Sequence, residues 1–326
     1  METVIETGGK HMKTYLLPEN GNLYKANLHT HSTLSDGALT PEALKKHYMA
    51  HGYSAVAFTD HRACIPHPEL TDDKFVALTS VEMDYSARDD AGIWARTTHY
   101  CAIARDPKAE FAYPNEPLPL LSHAQIDADI AEMNGRGFIT TVNHPVWSDM
   151  SMDEVAELRA ARGVEVFNSY AVTIDNYSED SAFFERVLRS GAHVRPIASD
   201  DCHTQHATGG PGREYFRGFN VLKAPELTYD ALIHALDTDA FFASTGPLFE
   251  NLWLEDDMLH VECSPVCGVF VHGRRFSQTT NVMEDTDCIE SVDLDISKFR
   301  KNSPYIWVQL CDTKGHKAWA VPYWFE

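Results

Sequence analysis

The residues best suited to chemistry begin at Asn27-Leu28-His29-Thr30-His31-Ser32, followed by Ser35-Asp36-Gly37. On a β-strand, side chains at i and i+2 share a face, so His29 and His31 project together while Thr30 points away. Two imidazoles on one face at a strand end suit a divalent ion. One such pair is weak evidence, but similar polar groups recur downstream. Thr59-Asp60-His61 leaves a second strand, and Glu82 is expected to end a third. His99 opens the next, Asn143-His144-Pro145 closes another, and Ser199-Asp200-Asp201-Cys202-His203 ends the last. In that final stretch the alternation favours Asp201 with His203 on one face, though Asp200 stays open as the acidic partner. Burying several carboxylates together without a cation is costly, and a metal cluster removes that cost.

These groups need a scaffold that brings strand ends together. From about residue 24 to 245 the chain alternates apolar runs with amphipathic segments. The strand-like runs are 25–31, 54–61, 75–82, 99–104, 138–144, 164–168 and 194–201. Helices are expected over 40–52, 122–134, 151–162, 180–190 and 228–236. Short apolar runs of this kind fit a parallel sheet buried on both faces, with sites at the carboxyl ends of its strands. A barrel-like α/β fold is expected, with a doubly wound sheet as the alternative. After Ser244-Thr245-Gly246-Pro247 the pattern becomes short and alternating, with a hairpin turn at Asp312-Thr313-Lys314-Gly315. The chain therefore divides into an N-terminal extension (1–23), a metal-binding domain (24–247) and a small all-β domain (248–326). That last domain could cap the site, recognise substrate or form a dimer contact.

Composition narrows the classes further. With 48 acidic and 27 basic residues, the formal charge of −21 argues against long duplex nucleic acid as a partner. No apolar run approaches the roughly 20 residues of a membrane span. The opening METVIETGGKHMK does not resemble a signal peptide, so a cytoplasmic location is expected. The seven cysteines form no CxxC pair and read as reduced thiols.

The ordered set of HxH, the SDG aspartate, TDH, a strand glutamate, a later histidine, NHP and DxH resembles the PHP (polymerase and histidinol phosphatase) family over residues 24 to about 247. The resemblance implies a distorted (β/α)7 barrel holding two to three divalent ions, manganese, zinc or iron. It implies His29, His31, Asp36, His61, Glu82, His99, His144, Asp201 and His203 as ligands. His29, His31, Glu82 and Asp201 would hold one ion, which Glu82 would bridge to a second held by His99 and His144. Asp36, His61 and His203 would hold a third ion or relay a proton, a catalytic role. The segments around Ser244–Pro247 and 312–322 resemble the branch with a β-sandwich after its barrel, associated with carbamate-ester hydrolases.

The leading expectation is hydrolysis of a small phosphomonoester or nucleotide, with Arg62 and Arg213 as guanidinium groups for the phosphate. Two other readings are a carbamate or carboxylic ester hydrolase and a metal-bound interaction protein without turnover.

Overall fold

A computed structural model describes residues 3–4, 13–88, 90–92, 94–114, 118–203, 214–275, 277–281 and 286–325. The chain forms two compact units. One comprises Tyr24–Asn220 with Leu227–Asp230, the other Met1–Leu23, Val221–Glu226 and Ala231–Glu326.

The first unit carries a seven-stranded run of sheet in sequential order: β1 (Asn22–Asn27), β2 (Ala55–Phe58), β3 (Val76–Arg88), β4 (Trp94–Ala104), β5 (Phe138–Val142), β6 (Gly163–Asn168) and β7 (Arg195–Ser199). All neighbours pair in parallel except β4, which is antiparallel to both β3 and β5. The segment Ala55-Val56-Ala57-Phe58 is buried throughout, as a strand covered on both faces must be.

Helices pack around this sheet. In α1 (Pro41–Met49) Thr40 caps the amino end by accepting from Ala43 N, with proline at the first helical position. Capping boxes open α2 (His123–Gly135), from Ser122 and Gln125, and α3 (Met152–Glu157), from Ser151 and Glu154. The helix expected over 151–162 stops early at α3 because tertiary bonds claim the backbone beyond it. Ala160 N donates to Asp127, Ala160 O accepts from Asn134, and Arg162 N donates to Thr140 O.

The fold is mixed α/β with a large, mostly parallel sheet, and no closed ladder occurs among the described residues. Beyond their ends, the chains leaving β1 and β7 meet at an isolated parallel bridge, Thr30 to Cys202. His31 N donates to Cys202 O (3.2 Å) and Asp201 N to His29 O (3.0 Å). Nor does the third strand end at Glu82. It continues to Arg88 because the antiparallel neighbour extends the ladder, pairing Glu82 with Cys101 and Asp84 with His99.

The second unit holds two antiparallel runs of strands. One runs Lys13–Leu17, Phe249–Glu255, Met258–Val266, Ile289–Asp295, and the other Phe241–Ser244, Lys317–Ala320, Tyr305–Cys311, Gly268–Gly273, Ser277–Asn281. Residues 13–17 thus pair with 249–255, far away in sequence. The expected hairpin turn is present, with Asp312 N donating to His316 O and Gly315 at φ 85°. One short helix, Ser297–Asn302, lies among these strands.

Candidate metal centre

The strand alternation works as expected at the first motif. Thr30 turns away from the site, its hydroxyl accepting from Asn27 Nδ2 (2.7 Å) beside Tyr48 and Cys202. His29 and His31 face the other way, both buried. Their Nε2 atoms lie 3.2 Å apart. His29 Nε2 is 3.2 Å from Glu82 Oε1 and 3.1 Å from Asp201 Oδ1. His31 Nε2 is 3.2 Å from Glu82 Oε2 and 3.1 Å from the same Asp201 oxygen. Two imidazoles and two carboxylates therefore meet at one point. Donors about 2.0–2.1 Å from a common ion are separated by roughly 3.3 Å in a tetrahedron and about 2.9 Å in an octahedron, which brackets these spacings.

Glu82 is the hub. Besides His29 and His31, its carboxylate lies 3.1 Å from His99 Nδ1, 3.2 Å from His61 Nδ1 and 3.4 Å from His144 Nε2. His99 reaches it because β4 runs backwards, so its leading half lies beside the trailing half of β3. Nearer solvent, Asp36 lies 3.5 Å from His31 Nδ1, 3.6 Å from His61 Nε2 and 3.5 Å from His203 Nε2. All nine residues expected as ligands fall in this cluster. Among the described residues, four groupings have donor atoms close enough to share an ion: His31/Asp36/His61/His203, His29/Glu82/Cys101, His29/His144/Asp201 and Glu82/His99/His144.

The electrostatics fit cation binding. Burial pushes His29 and His31 down. For His29 this is outweighed by Asp201, Cys101, Glu82 and Glu165, and for His31 by Asp201, Glu82 and Asp36, so both rise well above the usual imidazole range. Glu82 and Asp201 are held well below the carboxylate range, because their histidine neighbours overcome the cost of burial. His61 behaves oppositely. Burial, with His31 and His99 adding to it, brings it down to about 3 against the pull of Glu82 and Asp36. Its buried Nδ1 makes no hydrogen bond despite the nearby carboxylate. A bare imidazole nitrogen aimed at a carboxylate is what a cation between them would resolve.

The two neighbouring aspartates separate cleanly. Asp201 faces the cluster, whereas Asp200 accepts from the backbone N–H groups of Phe216 (2.8 Å), Arg217 (2.9 Å) and Gly218 (3.0 Å).

Several further residues support the nine. Glu165, in the middle of β6, lies 2.9 Å from His29 Nδ1 and accepts from His144 N (2.7 Å), Asn168 Nδ2 (2.9 Å) and Ser199 Oγ. Once the ring is neutral, a proton on Nδ1 shared with Glu165 would leave Nε2 as the bare nitrogen, the arrangement by which carboxylates orient ligating histidines. Its signal was a single charge inside the apolar run Val164-Glu165-Val166. Asn143 donates to Glu82 Oε1 (2.6 Å), and Asp60 folds the 32–35 loop by accepting from Ser32 N, Ser32 Oγ and Ser35 Oγ. Three residues at the cluster hold left-handed backbone: Arg62 (φ 58°), His144 (φ 26°) and Asp201 (φ 51°).

An inner pocket of about 240 Å³ at the cluster is lined by Glu82, His144 and Asp201 among others. A wider cleft of about 530 Å³ shares Asp36, His61, His99 and Trp147 with it. Arg62 lines this cleft, where its Nη1 donates to Asp84. Arg213 lies outside the described residues. Several other described histidines are engaged elsewhere. His51 stacks on Phe216 with centroids 3.6 Å apart, His260 and His316 bond Asp293 and Asp312, and His272 stacks on Trp307.

No family model and no curated protein matches the chain. Among solved structures, the chain is similar to PHP-like metal-dependent phosphoesterases and an amidohydrolase. A two-domain protein containing a predicted PHP-like metal-dependent phosphoesterase from Bacteroides vulgatus aligns over 95% of this chain and 97% of its own, at 14% identity and TM-score 0.48. A metal-dependent phosphoesterase, so assigned by inference, from Bifidobacterium adolescentis covers 60% of this chain and 92% of its own (15% identity, TM-score 0.38). An amidohydrolase from Chromobacterium violaceum, with bound sulfate and no metal, covers 56% and 88% (17% identity, TM-score 0.39).

Proposed function

We propose that this chain is a metal-dependent hydrolase of small phosphomonoesters or nucleotides, with a di- or trinuclear centre. The observation that carries the reading is the convergence of His29, His31, Glu82 and Asp201, whose donor atoms stand 3.1–3.2 Å apart across the histidine–carboxylate edges. These four would hold one ion, Glu82 with His99 and His144 a second, and Asp36 with His61 and His203 a third. Manganese, zinc and iron all accept imidazole and carboxylate. We also read the Thr30–Cys202 bridge as the seam of a distorted (β/α)7 barrel.

Bound divalent ions supply an acidified water and positive charge for the phosphoryl oxygens. The chain does the rest. Glu165 and Asn143 fix the donor atoms so that they need not reorganise during reaction. Asp36, His61 and His203, at the solvent edge, are placed to hold the third ion or pass a proton to the leaving oxygen. Arg62 is the described guanidinium proposed to reach the substrate, and Asp84 is the partner it would share.

That pairing favours a second reading. A guanidinium already matched to a carboxylate adds little net charge, so hydrolysis of a carbamate or carboxylic ester fits the same centre. Side-by-side assays of metal-reconstituted protein decide between them. Turnover of a phosphomonoester that needs Mn²⁺ or a similar ion and vanishes in chelator is the expected result. Faster turnover of a carbamate or carboxyl ester would overturn the phosphoesterase reading.

A further inference from the structure

The wide cleft extends well beyond the metal cluster, and its walls say what occupies it. Trp147 stands beside two of the cluster histidines, its ring edge-on to His144 (centroids 4.9 Å apart, 76°) and tilted to His99 (5.9 Å, 55°). Its indole N–H donates to Asp175 (2.7 Å), which fixes the ring in place. Tyr177 lines the same cleft and is 45% exposed, a large aromatic surface left open to solvent. The charged lining is already matched: Arg62 donates to Asp84 and Arg96 to Glu154, while Asp149 adds a further carboxylate. Neither guanidinium offers net positive charge to a second anionic group.

Resting on the phosphoesterase reading, we propose that the alcohol portion of the substrate is an uncharged aromatic ring system seated against Trp147 and Tyr177. Trp147 lines both the inner pocket and the wide cleft, so an ester reaching from one to the other passes it. Rings of this kind prefer offset or edge-to-face contact with other rings, and a fixed indole loses little freedom on binding. A cleft of about 530 Å³ has room for a ring system beside the ester. In the reaction, the bond from phosphorus to the alcohol oxygen breaks. Water gives its oxygen to phosphorus and a proton to the departing alkoxide, which leaves as a neutral aromatic alcohol.

The test uses the full, metal-loaded chain and three non-hydrolysable phosphonates: ethylphosphonate, benzylphosphonate and 4-carboxybenzylphosphonate. Calorimetry should find benzylphosphonate tightest by roughly fivefold over ethylphosphonate, with the carboxylated ring weaker than the plain one. In Trp147→Ala and Tyr177→Ala the benzyl-to-ethyl affinity ratio should fall toward one while metal content holds. Equal affinity for benzyl and ethyl compounds, tighter binding of the carboxylated ring, or a ratio unmoved by both substitutions would overturn the proposal. Hydrolysis of ethyl and benzyl phosphate is measured alongside. Ring-dependent binding without any phosphate turnover defeats the phosphoesterase reading and leaves the ring site standing, whereas turnover without ring-dependent binding does the reverse.

Discussion

The floor and the rim of the cluster are built from the same residue types but differ in support. At the floor, His29, His31, Glu82 and Asp201 are nearly sealed from solvent, and several of their oxygens and ring nitrogens have further partners in Glu165, Asn143 and Asn168. At the rim, the Asp36 side chain is 47% exposed, and His61 and His203 sit on loops beyond the strand ends. A carboxylate in solvent gains less from a cation than one in a dry pocket, because water already satisfies it. The two levels should therefore hold ions with different strength. On this reading the floor would be a preformed site, and the rim would complete itself around its occupant.

The largest effect expected from this contrast belongs to Glu82, which approaches five imidazoles. Glu82→Ala should reduce metal content below one ion per chain by elemental analysis, and lower turnover on the order of a thousandfold. Retention of two ions would remove Glu82 from its central place. Next comes Glu165→Gln, which touches no proposed ion yet orients His29. Its metal affinity should fall about 10- to 100-fold in a competition titration with a chelating dye. An unchanged affinity would show that the floor does not depend on its outer partners.

Asp36→Asn tests the rim alone. One ion should be lost on gentle dialysis while the floor ions stay, and a loss of all ions would erase the distinction between the two levels. The smallest effect is in pH dependence. In the metal-free protein His29 and His31 are raised well above the imidazole range, so near neutrality they carry protons that a metal must displace. Metal affinity should thus climb with pH and level off once pH passes those raised values. Calorimetric titration in two buffers of different ionisation enthalpy should register proton release at neutral pH, and zero release would contradict protonated floor histidines.

Much of the cluster was legible in the sequence because its residues are conspicuous types at strand ends, and parallel strands send their ends to one place. The alternation at His29-Thr30-His31 translated directly into geometry. What was hidden depended on long-range pairing. Glu82 looked like a strand end, because nothing local announces that an antiparallel neighbour will prolong the strand to Arg88. His99 looked like an opening residue, and only the reversed direction of its strand explains how it reaches Glu82. Glu165 was lost inside an apolar run. The pairing of 13–17 with 249–255 also has no local signal, since strand partners distant in sequence are chosen by packing.

The left-handed backbone at Arg62, His144 and Asp201 has a bearing on how such a protein could be engineered. Each non-glycine residue in that region costs about 1–3 kcal/mol, and a domain's whole stability is about 5–15 kcal/mol. Glycine would relax all three positions, and at each it would remove a side chain facing the cluster or its cleft. A library sorted only for heat resistance is therefore expected to enrich glycine at 62, 144 and 201, and its hardiest members would be those least able to hold metal.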